Sequence, residues 1–115
     1  MNEILRQGCF YSDSTDAGRG DVLVISNDAF NRVFGRALAL PVVDMEPRFA
    51  EIGLFCLPTG TGKAVCIYQP TVVEAAGWTE TGRASAAEFR KAIEVFNTIT
   101  EFNRAAPRAA MEIAS

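Results

Sequence analysis

The hydrophobic pattern of this chain changes character once, near residue 80, and that single change limits the folds open to it. Upstream, the apolar stretches are short and broken by turn residues, which is the pattern of strands. Cys9-Phe10-Tyr11, after Gly8, reads as a first strand, and Ser12 to Gly20 as a polar loop. Val22-Leu23-Val24-Ile25 is a continuous apolar run, as expected of a strand buried on both faces. Asn27 and Asp28 are placed to cap a short helical turn through Ala29, Phe30 and Val33. Arg36 to Val43 gives another strand, with Pro41 pushing its end toward a sheet edge. Arg48 to Leu57 and Lys63 to Gln69 read as a hairpin around Pro58-Thr59-Gly60-Thr61-Gly62, and Thr71-Val72-Val73 as a further short strand.

Downstream the period is helical. Ser85-Ala86-Ala87-Glu88 spells a capping box, in which the serine hydroxyl accepts from the backbone N–H three residues on and the glutamate reaches back. Phe89, Ala92, Ile93, Phe96 and Ile99 then recur on one stripe, with Arg90, Lys91, Glu94 and Asn97 outside it. The spacing predicts one amphipathic helix from about Ala86 to Ala105, stopped by Pro107. Strands first and one covering helix last imply an α+β domain. Many short strands with turn signals imply a small SH3-like, strongly curved antiparallel β-barrel with a C-terminal α-helix. At 115 residues the chain is one domain, 1–115. A domain this small leaves a sheet face and apolar edges that a symmetric homodimer would cover.

Several chemistries are excluded by composition. There is no histidine, so no imidazole base, no Ser or Cys triad and no His-ligated zinc. Cys9, Cys56 and Cys66 form no CxxC pair and read as buried small hydrophobes in a reducing compartment. A net charge of -3 argues against nucleic-acid binding by bulk charge, though not against a local basic groove. The N-terminal residues lack the apolar stretch of a signal peptide, and the most apolar runs fall short of a membrane span, so a cytoplasmic location is expected. Pro58 to Lys63 imitates a phosphate-binding loop. Yet Leu57 stands where its first glycine is needed, and Ala64 where Ser or Thr is needed. Arg19-Gly20-Asp21 is a loop end rather than an adhesion signal.

The stretch Val22 to Val43 is more specific. Ile25-Ser26-Asn27-Asp28, Ala29-Phe30-Asn31-Arg32 and Leu40-Pro41-Val42 closely resemble the second and third strands, and the turn between them, of the MazF/PemK family of toxins. The resemblance continues in Gln69-Pro70, in Gly77-Trp78 and in the position of the C-terminal helix, and a looser kinship with CcdB, a gyrase poison, follows from the shared architecture. It implies a homodimeric SH3-like toxin that cleaves single-stranded RNA without a metal or other cofactor and is neutralised by a disordered cognate antitoxin. The family's arginine before its second strand falls at Gly20-Asp21, with Arg19 one residue away. Its threonine after the third strand falls at Val43, beside Asp44; its aspartate falls at Tyr68, and a further arginine of some members at Cys66. The resemblance thus nominates Arg19 as a phosphate clamp, Asp44 and Tyr68 for proton transfer, and Arg32, Arg48 and Gln69 for RNA contact. The altered positions leave an alternative: a non-catalytic toxin or regulator that binds a protein target such as DNA gyrase, as CcdB does.

Overall fold

In a computed structural model of the chain, residues 4–46, 56–60 and 62–100 are described. Arg48, the first part of the expected hairpin, the helix end at Pro107 and the tail lie outside them. The elements are β1 (Cys9–Asp13), β2 (Asp21–Val24), α1 (Asp28–Phe34), β3 (Arg36–Asp44), β4 (Cys56–Pro58), β5 (Lys63–Cys66), β6 (Thr71–Glu74), β7 (Trp78–Arg83) and α2 (Ala86–Thr100). The strands form one seven-stranded sheet in the order β4-β5-β3-β2-β1-β7, with β6 also pairing β3, and every ladder is antiparallel. The α+β expectation is met in its antiparallel sheet and its C-terminal helix. The path of ladders runs from β4 to β7 without joining its ends among the described residues, so closure into a barrel is not seen.

The continuous apolar run of β2 has a direct cause. Leu23 and Ile25 pack on α2 with Leu40, Val42, Val65, Ala92 and Val95, while Val22 and Val24 pack on the far face with Leu5, Cys9, Tyr11, Ala37 and Val73. Both faces are covered, so neither set of alternate positions is free to be polar. A fully buried aliphatic such as Leu40 contributes about 1.5–3 kcal/mol.

Pro41 does not lie at a sheet edge. It sits in β3, a central strand, opposite Val22. On the other side of β3, β6 pairs residues 36–39 and β5 pairs residues 42–44, leaving Pro41 in the gap between the two ladders. A proline there forfeits no ladder bond. The strand expected over Lys63 to Gln69 stops at Cys66, and Ile67 and Tyr68 turn. Sequence reading also missed β7. Its residues Trp78-Thr79-Glu80-Thr81-Gly82-Arg83 are mostly exposed at the end of the strand path, where no buried face imposes an apolar alternation.

The short helix is fixed at both ends. Asn27 Oδ1 accepts from the Phe30 N–H at 2.8 Å, and Gly35 ends the helix in the left-handed region at φ 64°. Inside it, Asn31 is the buried polar residue of the described core. Its Nδ2 donates to the carbonyls of Leu5 (2.6 Å) and Ser26 (3.1 Å), and its Oδ1 accepts from the Ser26 hydroxyl. The residue that carries much of the family resemblance therefore ties the N-terminal segment to the β2–α1 turn. The capping box is also made: Glu88 N–H donates to Ser85 Oγ at 3.1 Å, and Ser85 N–H to Glu88 Oε1 at 2.9 Å.

Candidate functional site

Strand alternation assembles a polar cluster at one end of the sheet. On the face toward α2, β1 presents Phe10 then Ser12, β2 presents Leu23 and Asp21, β3 presents Leu40, Val42 then Asp44, and β5 presents Val65 and Lys63. The register sets Ser12 against Asp21, Asp21 against Val42, and Asp44 against Lys63. Four apolar stripes thus end together in Ser12, Asp21, Asp44 and Lys63.

Lys63 Nζ stands 3.5 Å from Asp21 Oδ2 and 3.7 Å from Asp44 Oδ1. The Ser12 hydroxyl donates to Asp21 Oδ1 at 2.6 Å, which orients that carboxylate. Both ion-pair distances exceed the roughly 2.7–2.9 Å of a tight charge-assisted hydrogen bond, so the ammonium is held loosely. The Lys63 side chain is 42% exposed and that of Asp44 88%, so both are open to a ligand. Beside them lies a cavity of about 280 Å³ lined by Asp21, Lys63, Thr59, Thr81, Arg83 and Glu88. The cleft thus sets one cationic donor beside two carboxylate acceptors, groups able to take and give protons.

The nominated residues are distributed unevenly. Asp44 belongs to this cluster. Arg19 lies two residues before Asp21, at the same end of the sheet, but its guanidinium turns toward β1 and β7. It pairs with Asp13 at 2.8 Å, donates to the Gly77 carbonyl at 2.8 Å, and stacks over the Trp78 ring at 4.1 Å. These partners hold the Asp13 carboxyl far below the usual range; hydrogen bonds from Arg19 come first, then those from Thr15. Arg19 thus closes the first loop onto the β6–β7 turn. Tyr68 follows β5 at the end opposite Lys63, beyond three strand steps that span about 10 Å at about 3.3 Å per residue. Gln69 is its neighbour in the same turn. Arg32 sits on α1, between the far ends of β2 and β3. The structure therefore joins neither Tyr68, Gln69 nor Arg32 to Asp44.

Lys63, Asp21 and Ser12 were missed. Lys63 was visible as the last residue of the imitation phosphate loop. Only the β3–β5 register, which sequence does not state, sets it against Asp44.

This geometry defines a small α+β domain with a helix-backed antiparallel sheet and an open polar cleft at one sheet end. No protein-family model matches the chain, and no curated protein does. Among solved structures it is similar to MazF from Deinococcus radiodurans, at 17% identity over 88% of this chain and 100% of that one, with a TM-score of 0.68. It is similar to a MazE-MazF complex from the same organism, at 17% identity over 89% of this chain and 100% of that one, with a TM-score of 0.69. It is also similar to an endoribonuclease in complex with its cognate antitoxin from a mycobacterial species, at 16% identity over 84% of this chain and 94% of that one, with a TM-score of 0.69. The fold is MazF-like.

Proposed function

We propose that this chain is the growth-inhibiting toxin of a toxin–antitoxin module and a metal-independent endoribonuclease acting on single-stranded RNA. The observation that carries the reading is the Ser12–Asp21–Lys63–Asp44 cluster on a MazF-like fold, at the strand ends where the family resemblance locates its site. One similar structure is an endoribonuclease in complex with its cognate antitoxin, and another is a MazE-MazF complex. A cognate antitoxin, a cytoplasmic location and a two-fold homodimer with an SH3-like barrel in each chain belong to the same reading. Exposed Val33 and Phe34 on α1 supply apolar surface for a partner copy.

The chemistry is attack of a ribose 2′-oxygen on the adjacent phosphorus. The O2′–P bond forms, the P–O5′ bond breaks, and the products are a 2′,3′-cyclic phosphate and a 5′-hydroxyl. Asp44, the more exposed carboxylate, takes the 2′-hydroxyl proton, Lys63 balances the charge that gathers on the non-bridging oxygens, and the departing O5′ takes its proton from solvent water. Asp21, fixed by Ser12, positions Lys63. Arg19 acts through the loop, holding it against Trp78.

Incubating the purified protein with long single-stranded RNA in EDTA tests this. Discrete fragments ending in cyclic phosphate are expected. Lys63→Met should slow cleavage by about 10²–10³ and Asp44→Asn by about 10²–10⁴, with the fold intact. Intact RNA together with growth arrest in cells would reject cleavage and favour the alternative, a toxin that binds a protein target such as gyrase.

A further inference from the structure

A second cavity, larger than the one beside Lys63, lies against the N-terminal segment. It measures about 640 Å³ and is walled by the N-terminal segment, β1, α1 and β7. Arg6, Arg32 and Arg83 line it, with Tyr11, Trp78 and Glu80. Three of the chain's eleven basic residues thus meet in one place on a protein of net charge -3. Composition alone would not gather them.

A fault in the strand register does part of the gathering. Between β1 and β7 the pairing shifts at Phe10/Tyr11, so Cys9 faces Arg83 and Tyr11 faces Glu80. Residues 80 and 83 differ by an odd number and would project from opposite faces of a regular strand. The bulge sets both against β1 residues whose side chains lie on the far face with Leu5 and Val22. Arg6 arrives from the other side, its backbone N–H donating to the Tyr11 hydroxyl at 2.8 Å. Arg32 descends from α1, whose Asn31 ties the helix to Leu5.

None of the three arginines makes an ion pair within 4.0 Å with a carboxylate of the described residues. Asp28, also on the wall, already accepts from the Gln7 N–H at 2.9 Å. Trp78 is held in place, its indole N–H donating to the Glu74 carbonyl at 2.9 Å. Guanidinium groups without carboxylate partners are forks for phosphate oxygens. With Arg19 over its ring, the fixed indole offers an edge contact to a base, and Glu80 can accept from ribose hydroxyls. A volume of this size suits a small ligand.

We infer that this cavity is a nucleotide-binding site, in which Arg6 and Arg32 hold the phosphate and Trp78 contacts the base, with Arg83 standing between it and the cavity beside Lys63. The phosphate-bearing unit comes from a free 5′-nucleotide or from one nucleotide of a strand. This inference does not depend on the ribonuclease reading, since it asks for binding without cleavage.

Trp78 is the chain's single tryptophan, so intrinsic fluorescence reports on this cavity directly. The purified protein is titrated with inorganic phosphate, with adenosine 5′-monophosphate, and with a short single-stranded DNA that lacks the 2′-hydroxyl. A saturable change is expected, tighter for the nucleotide than for phosphate and weaker as salt rises. Arg6→Gln and Arg32→Gln should each weaken it about ten-fold or more, and Arg32→Lys should restore part of the loss. Circular dichroism checks that these exposed substitutions leave the fold unchanged. A response to the oligomer alone, with the same arginine dependence, supports the site and makes a strand the source. No saturable response to any probe, or binding unaltered in both glutamine variants, overturns the inference even where RNA cleavage is observed.

Discussion

Replacing Asn31 by alanine removes the polar centre of the β2–α1 turn. The side chain makes two donor bonds, to Leu5 and Ser26, and accepts one from the Ser26 hydroxyl, while only 2% exposed. Each such bond contributes about 1 kcal/mol net, so the deletion costs about 3 kcal/mol. Stranding the Leu5 carbonyl, whose bond with Nδ2 is buried, pushes the cost toward the upper side of that figure. Folded domains are stable by only about 5–15 kcal/mol, so this is a large share. At ~2.1 cal/mol/K of unfolding entropy per residue, 1 kcal/mol moves Tm of this chain by about 4 °C, and Asn31→Ala should lower it by roughly 12 °C. Urea unfolding followed by circular dichroism at constant m measures the free energy directly. Asn31→Asp, nearly the same shape, loses the donor and sets a carboxylate against two carbonyls, so it should be at least as harmful. A loss below about 1 kcal/mol in the alanine variant, or an aspartate variant as stable as the parent, would refute the account of Asn31 as a structural tie.

Two further outcomes concern the first loop. A Cβ on Gly77 would meet Arg19 Nη2 at 2.6 Å and Thr15 Cγ2 at 2.8 Å, and the backbone there has φ 85°; Gly77→Ala should therefore cost about 1–3 kcal/mol and raise protease cleavage within Ser14–Gly20. Cleavage and stability equal to the parent would show the loop is not held there. Asp13 is acidified in the folded state by Arg19 and Thr15, so its contribution is present above the ordinary carboxylate value near ~4 and is lost as pH falls toward the lower folded value. The stability difference between parent and Asp13→Asn, measured in urea, should shrink steadily below about pH 4; a difference independent of pH would contradict the pairing.

What the sequence settled by itself is what short-range patterns control. The start of α2 follows from Ser85 and Glu88, which need only each other's backbone. The start of α1 follows from Asn27, and the double burial of β2 from four consecutive apolar residues. Antiparallel strands with a helix last could be read for the same reason: turns and periods are local quantities. The fold likeness was legible in Ile25 to Arg32 because the turn it encodes closes within a few residues, around Asn31.

The sites were decided by tertiary structure. Lys63 meets Asp44 and Asp21 through the β3–β5 and β2–β3 ladders, between segments whose spacing in sequence says nothing of their register. Arg19 stood one residue from the expected position, yet its guanidinium is directed by Asp13, Gly77 and Trp78, the last two nearly sixty residues away. β7 carries no apolar period, and its bulge against β1 turns Glu80 and Arg83 to one face. A one-residue slip in any of these ladders would invert which side chains share a face while leaving every local pattern intact. Local propensity constrains what each segment is, whereas pairing across the sheet constrains which charges meet.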